Sequence, residues 1–269
     1  MRIENKKKKI INKQKKKLMK KEKKIIDKSE KINIKNRISP IKEKIEERIP
    51  EKLTNTFEKA FEKGFYCVFE NGRSLIEKSF NQEKLKNITD INSYILSKDF
   101  TNRNLKKFDK NVQKGIFINR SISTIEGTIL GLVGIGLPDI PIFIGVILKT
   151  IYEICLSYGF KYDSKEEKIY ILNIICTGLN VGEVKARYSA ETDKIGYNID
   201  NKIENNKNIE KMIKETSQNL ARSMIVPKFI QGIALVGAYG GISNYKLIGN
   251  IGKIASIKYK KRFLSCMKM

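Results

Sequence analysis

Apolar positions in residues 50–80 recur at helical spacing. Phe57, Phe61, Phe65 and Phe69 fall every four residues, and Tyr66, Leu75, Ile76 and Phe80 widen the face they line. Pro50 before Glu51 suits a helix start, where a missing N–H costs nothing. The stripe reads as a core-facing surface in preference to an aromatic ligand wall. Residues 81–113 are more polar and predict shorter helices around Ile88–Leu96 and Leu105–Val112, with Ser97–Asn104 as a loop. Residues 115–160 are the most apolar part. Gly127–Leu148 holds one charge, Asp139, and is long enough to cross a bilayer core. However, Leu137-Pro138-Asp139-Ile140-Pro141 interrupts it, because each proline removes a helical donor and pushes its predecessor toward extended geometry. Two helices meeting at a turn fit better, with Asp139 as N-cap of the second and Pro141 in its first turn. A hairpin buried in a soluble core is preferred over shallow insertion into one leaflet. A full span is disfavoured because a charge at mid-bilayer costs about 2.5–3.5 kcal/mol.

Tyr158-Gly159 marks a helix end. Ser164 with Glu167 forms a capping-box pattern for the next helix, which runs through Ile169, Leu172, Ile175 and Cys176 to about Val181. Asn198–Asn208 reads as an Asn-rich loop or weak helix. Ile209, Met212, Ile213, Leu220 and Met224 form another stripe, ended or kinked at Pro227. Phe229–Asn250 is Gly-rich and apolar, and Ile251–Leu264 predicts a helix with a basic finish, Lys258 to Arg262. No strand-period alternation persists, so the fold class is all-α, a single multi-helix bundle with Gly-rich apolar hairpins. Three glycine pairs, Gly127/Gly131, Gly178/Gly182 and Gly237/Gly241, are spaced for close helix approach, inside the protein or within lipid.

Charge changes the picture at one end. The 269 residues carry 54 Lys+Arg against 29 Asp+Glu, a formal net charge of +25. Residues 1–50 alone hold 20 of the basic and 7 of the acidic groups. Such density repels itself, and the scattered isoleucines bury little. Residues 1–47 therefore read as a basic tail, disordered or transiently helical, ahead of a helical domain at 48–269. The tail lacks the continuous apolar stretch of a secretory signal, which points to a reducing, cytoplasmic location. Its candidate partners are an anionic membrane surface and, less favoured, nucleic acid, since no aromatic residue precedes Phe57 to stack on bases. A solvated tail without a partner is the plain alternative.

Composition excludes several chemistries. There is no His, hence no His-based triad, metal ligand or pH switch. Cys67, Cys155, Cys176 and Cys266 are too far apart in sequence for a CxxC or zinc-ribbon pattern. No GxSxG, GxxxxGK[ST] or GxGxxG occurs, and no cofactor or metal is expected.

Three stretches resemble the EcsC family, an all-helical bacterial group. The first is Ile49-Pro50-Glu51-Lys52 with the Phe stripe. The second runs from Thr124-Ile125-Glu126-Gly127 through Leu137-Pro138-Asp139-Ile140-Pro141 to Glu153 and Tyr158-Gly159. The third links Val226-Pro227, Gly237-Ala238, Gly240-Gly241 and Asn244 to Ala255, Tyr259 and Arg262-Phe263-Leu264. Together they cover roughly residues 48–269. Val133–Ile135 is bulkier than the Gly- and Pro-rich run the resemblance leads one to expect. The family takes its name from a gene beside an ABC transporter linked to secretion and competence, and no catalytic residue is settled for it. The resemblance implies a fold and a location more than a mechanism, with Glu126, Gly127, Asp139, Pro141, Tyr158, Gly159, Asn244 and Arg262 as signature positions.

Among these, Glu126 and Asp139 could form an acid/base pair only if the proline turn folds the chain back, since 13 residues of unbroken helix span about 20 Å. The structural alternative is preferred. In it Asp139 caps a helix, Glu126 pairs with a basic residue such as Arg262, and Asn244 bonds backbone between helices. The resulting expectation is a non-enzymatic, membrane-associated protein, peripheral on the inner face of the cell membrane, that assists an ABC transporter. The rival is an enzyme acting on lipid or peptide through Glu126 and Asp139. Nothing in the sequence signals an oligomeric state.

Overall fold

The computed structural model describes residues 2–35, 49–118, 139–230 and 240–267. Every regular element among them is helical: α1 Arg2–Lys35, α2 Glu51–Cys67, α3 Arg73–Lys78, α4 Gln82–Lys98, α5 Asn102–Ile118, α6 Asp139–Ser157, α7 Lys165–Leu179, α8 Gly182–Asp200, α9 Ile209–Ile230 and α10 Gly240–Cys266. A π-helical turn, Val68–Gly72, joins α2 to α3. Glu126, Gly127, Gly131 and Gly237, with the first arm of the expected apolar hairpin, lie outside the described residues.

Two helices form the centre. α7 is buried at every position from Ile169 to Gly178, so it is surrounded on all sides, by α8, α9 and α10. α6 packs against α2, α4, α5 and α10. Ile140–Ser157 is long and apolar enough to cross a membrane, yet 78 % of that window is buried in protein, so this arm is a core helix. The Phe stripe faces it as expected: Phe61 and Phe65 are fully buried, and Phe57 and Phe69 pack at the margin. Pro50 sits one residue earlier than predicted, as the N-cap of α2. The helix after Pro138 begins at Asp139, with a buried Pro141 in its first turn as expected.

Local chemistry sets the other boundaries. Gly159, at φ +80°, closes α6 in a Schellman turn: Phe160 N–H donates to Cys155 O (3.0 Å) and Gly159 N–H to Leu156 O (2.9 Å). Ser164 Oγ accepts from Glu167 N–H at 3.1 Å and starts α7. Asn208 Oδ1 accepts from Lys211 N–H at 2.8 Å and starts α9. That helix runs through Pro227 to Ile230, so the proline does not end it.

The glycine pairs need correction in one case. Gly178 lies in the last turn of α7, whereas Gly182, at φ +56°, opens α8, so this pair does not share a helix. Gly178 still does what was expected of the motif alone. A Cβ there would sit 2.7 Å from Ile251 Cα, so α7 and α10 touch backbone to backbone. The basic leader, expected to be disordered or transiently helical, is a helix over its described residues, docked on the bundle in a way the sequence did not suggest. Ile10, Ile11, Gln14, Leu18 and Glu22 are buried along one stripe of α1, against α8 and α10.

Candidate functional site

Polar side chains gather at two places between α10 and its neighbours. The first is closed. Arg262, the signature residue on α10, reaches Glu167 on α7 through Nη1 (2.8 and 3.0 Å to the two Oε atoms) and Asp200 on α8 through Nε (3.0 Å) and Nη2 (2.8 Å). Its guanidinium lies 4.4 Å from the Phe160 ring centre and 4.6 Å from that of Tyr170. Tyr259 Oη donates to Glu167 Oε1 at 2.7 Å. Burial works against the Arg262 cation, but Asp200 and Glu167 outweigh it and hold its pKa above the ordinary arginine value. Burial likewise raises the Glu167 carboxyl, and Arg262 and Tyr259 only partly pull it back. The sequence suggested Glu126 as the arginine's partner, whereas the described partners are Glu167 and Asp200. The capping box is also half realised: Ser164 caps as predicted, but the Glu167 carboxylate is committed to Arg262 and Tyr259.

The second place is the seam under α1. Glu22 turns into the bundle, where Oε1 meets Lys258 Nζ at 2.6 Å and accepts from Ser189 Oγ at 2.7 Å, while Oε2 meets Lys261 Nζ. Asp193 bridges the same two lysines at 2.7 and 2.8 Å. Burial would raise the Glu22 carboxyl, but Lys258 and Lys261 together hold it below its ordinary value. Beside this lies a cavity of about 340 Å³ between α1, α5, the end of α6 and α10, lined among others by Lys17, Lys21, Asp109, Tyr158 and Lys260. Lys260 Nζ pairs with Asp109 Oδ2, while the buried Oδ1 has no hydrogen-bond partner among the described residues. Burial raises the Asp109 pKa, against the pull of Lys260 and Lys21.

The expected site residues therefore separate. Tyr158 and Gly159 make the Schellman turn, and Tyr158 also lines the cavity. Pro141 is buried in the first turn of α6, well inside the α2 contact. Asp139 opens α6 and Asn244 lies in the first turns of α10, with their side chains outside the description. Glu126 and Gly127 lie outside the described residues. Sequence reasoning marked Glu167 only as a capping residue and missed Asp200, Glu22 and Asp109. Glu22 alone carried a signal, as the one carboxylate among the lysines of residues 5–26.

Two of the four cysteines are poorly placed to act as nucleophiles. Cys155 and Cys176 are buried, and burial pushes the Cys155 thiol well up and the Cys176 thiol up to about 12, far from the thiolate form at neutral pH. No group of three or more Cys, Asp or Glu suited to a metal occurs among the described residues.

A family model described as "EcsC protein family" matches residues 12–264. The Bacillus subtilis (strain 168) "Uncharacterized protein YdbA" is 26% identical over 155 residues, which is 56% of this chain and 56% of that protein. "Protein EcsC" of the same organism is 25% identical over 172 residues, 62% of this chain and 68% of that one. The first of these matches thus spans little over half of its relative's length. No solved structure matches the chain.

Proposed function

The chain belongs to the EcsC protein family, and on that premise we propose that it works as a non-enzymatic helical protein held on an anionic membrane surface. The observation that carries this reading is the charge of α1. Ten lysines between Lys6 and Lys24 are exposed, and Glu22, the acidic residue among them, is turned inward and consumed by Lys258 and Lys261. The outward face is therefore cationic without compensation over about 27 Å of helix, at 1.5 Å per residue. Lysines near an anionic bilayer contribute about 1 kcal/mol each, so a handful engaged at once suffices for reversible docking. The burial of α6 supports attachment at the surface, by charge, in preference to insertion of that helix. At that surface the partner we propose is an ABC transporter, on the strength of the family resemblance, with the protein on the inner face of the cell membrane.

Sedimentation of the full chain with vesicles tests the reading. Vesicles containing phosphatidylglycerol should carry it down at low salt and release it at high salt, and vesicles of phosphatidylcholine alone should not. Replacing Lys9, Lys13, Lys16 and Lys20 with Gln should weaken the binding and lower the salt concentration that releases it, without moving Tm. Equal sedimentation with the neutral vesicles, or unchanged binding by the variant, overturns it. So does duplex DNA that binds α1 while anionic vesicles do not. The transporter is tested by co-purification of the tagged full chain from membranes containing it.

A further inference from the structure

The cavity under α1 joins four elements and is unlike the closed Arg262 centre, because it stands open between the charged residues that line it. Three lysines, Lys17, Lys21 and Lys260, line it together with a single carboxylate, Asp109, so its charge is net positive. Tyr158 supplies a buried aromatic wall, packed at a tilt against Phe108 and Phe263, which fixes its position. Lys260 is held toward the cavity by Asp109 Oδ2, while Lys17 and Lys21 are exposed and free to swing over the opening. Asp109 Oδ1 is an acceptor with no donor among the described residues, removed from solvent. A buried carboxylate oxygen left in that state costs free energy, and a donor from a bound molecule would offset the cost.

These features call for a ligand with two chemistries side by side: an anionic group for the lysines and a hydroxyl donor for Asp109. The geometry points to a phosphorylated polyol, bound with its phosphate against Lys17, Lys21 and Lys260 and a hydroxyl donating to the Asp109 carboxylate. A volume of about 340 Å³ is at the small end of ligand sites and suits a molecule the size of glycerol phosphate. The same chemistry occurs in a free phosphorylated metabolite and in the headgroup of a phospholipid. The site differs from the outer face of α1, which offers charge but no enclosed acceptor.

Isothermal titration of the full chain at constant ionic strength tests this with glycerol 3-phosphate, inorganic phosphate and short-chain phosphatidylglycerol. The wild type should bind glycerol 3-phosphate about tenfold tighter than inorganic phosphate, the scale of one charge-assisted hydrogen bond. Asp109→Asn should erase that preference while leaving inorganic phosphate binding equal or tighter, since a negative charge is gone. Lys21→Gln, at an exposed position that leaves folding alone, should weaken both phosphates. Tighter binding of the lipid than of glycerol 3-phosphate assigns the headgroup as source, and the reverse order assigns the free metabolite. No saturable binding of either, or a preference that survives Asp109→Asn, overturns the proposal. The outer-face variant at Lys9, Lys13, Lys16 and Lys20 should bind these ligands normally, which separates failure of this site from failure of the membrane reading.

Discussion

Arg262 is a buried cation shared between Glu167 and Asp200 and stacked between aromatic rings, so its value lies in what it prevents. Without it, Glu167, 4% exposed, keeps the Tyr259 hydroxyl as its one side-chain donor among the described residues. Removing one member of a buried ion pair costs about 3–5 kcal/mol, because the other charge stays behind. Arg262→Met should therefore lower stability by about that amount in urea unfolding, and pairing it with Glu167→Gln should recover a good part of the loss. Arg262→Lys should also be costly, since an ammonium cannot fork toward two carboxylates and stack on Phe160 at once. If Arg262→Met melts like the wild type, the centre is not structural. None of this was legible from residue spacing. The sequence marked Arg262 and Glu167 separately, but their pairing depends on α7 and α10 being neighbours, and Asp200 carried no local signal at all.

Among the elements, Gly178 shows how packing can reverse a local preference. Alanine is favoured over glycine in a helix by about 1 kcal/mol. Here the added methyl would meet Ile251 Cα and Cγ1, both at 2.7 Å, and backbone cannot step aside as a flexible side chain can. Overpacking of this kind costs about 1–3 kcal/mol, so Gly178→Ala should be net destabilising. A thermal melt that rises would show that α7 and α10 do not approach so closely. The sequence exposed such elements unevenly. The Phe stripe, the Ser164 cap and the Gly159 stop were readable because each is a local rule satisfied locally. α8 received no assignment between about Val181 and Asn198. Its buried face is Gly182, Lys185, Tyr188, Ser189, Thr192, Ile195 and Gly196, small and polar residues that leave no apolar stripe. Asn173 of α7 supplies that face with partners instead, donating to Tyr188 O at 3.0 Å and Thr192 Oγ1 at 2.7 Å. α1 was hidden for the same reason: its buried stripe includes Gln14 and Glu22, whose value appears only across a separation of up to 239 residues.

At the scale of the whole molecule, that long-range contact makes α1 a strap fastened by charge as well as by apolar area. Ile10, Ile11 and Leu18 are its fully described apolar anchors, and the Glu22 cluster is the point where it meets both α8 and α10. The pKa of Glu22 is lower in the folded state than in the unfolded chain. A carboxylate depressed in this way stabilises the fold at pH values above its unfolded pKa, and the contribution drains away as pH falls through the folded value. The window therefore opens below about pH 4.3, the ordinary glutamate value. Lys258 keeps Asp193 and the Ser189 carbonyl as partners when Glu22 is neutral, so the loss should fall on the strap and spare the bundle. Hydrogen exchange, normalised to the intrinsic rate at each pH, should show α1 amides losing protection on acidification while α7 amides hold theirs. Glu22→Gln should reproduce the loosened strap at neutral pH and flatten the acid response. Uniform loss across α1 and α7, or a variant indistinguishable from wild type at neutral pH, would mean that the isoleucines and Leu18 hold the strap without help from charge. In either of those cases the inward turn of Glu22 would lose its role in fastening α1, though the lysines it leaves facing outward would remain available to a membrane.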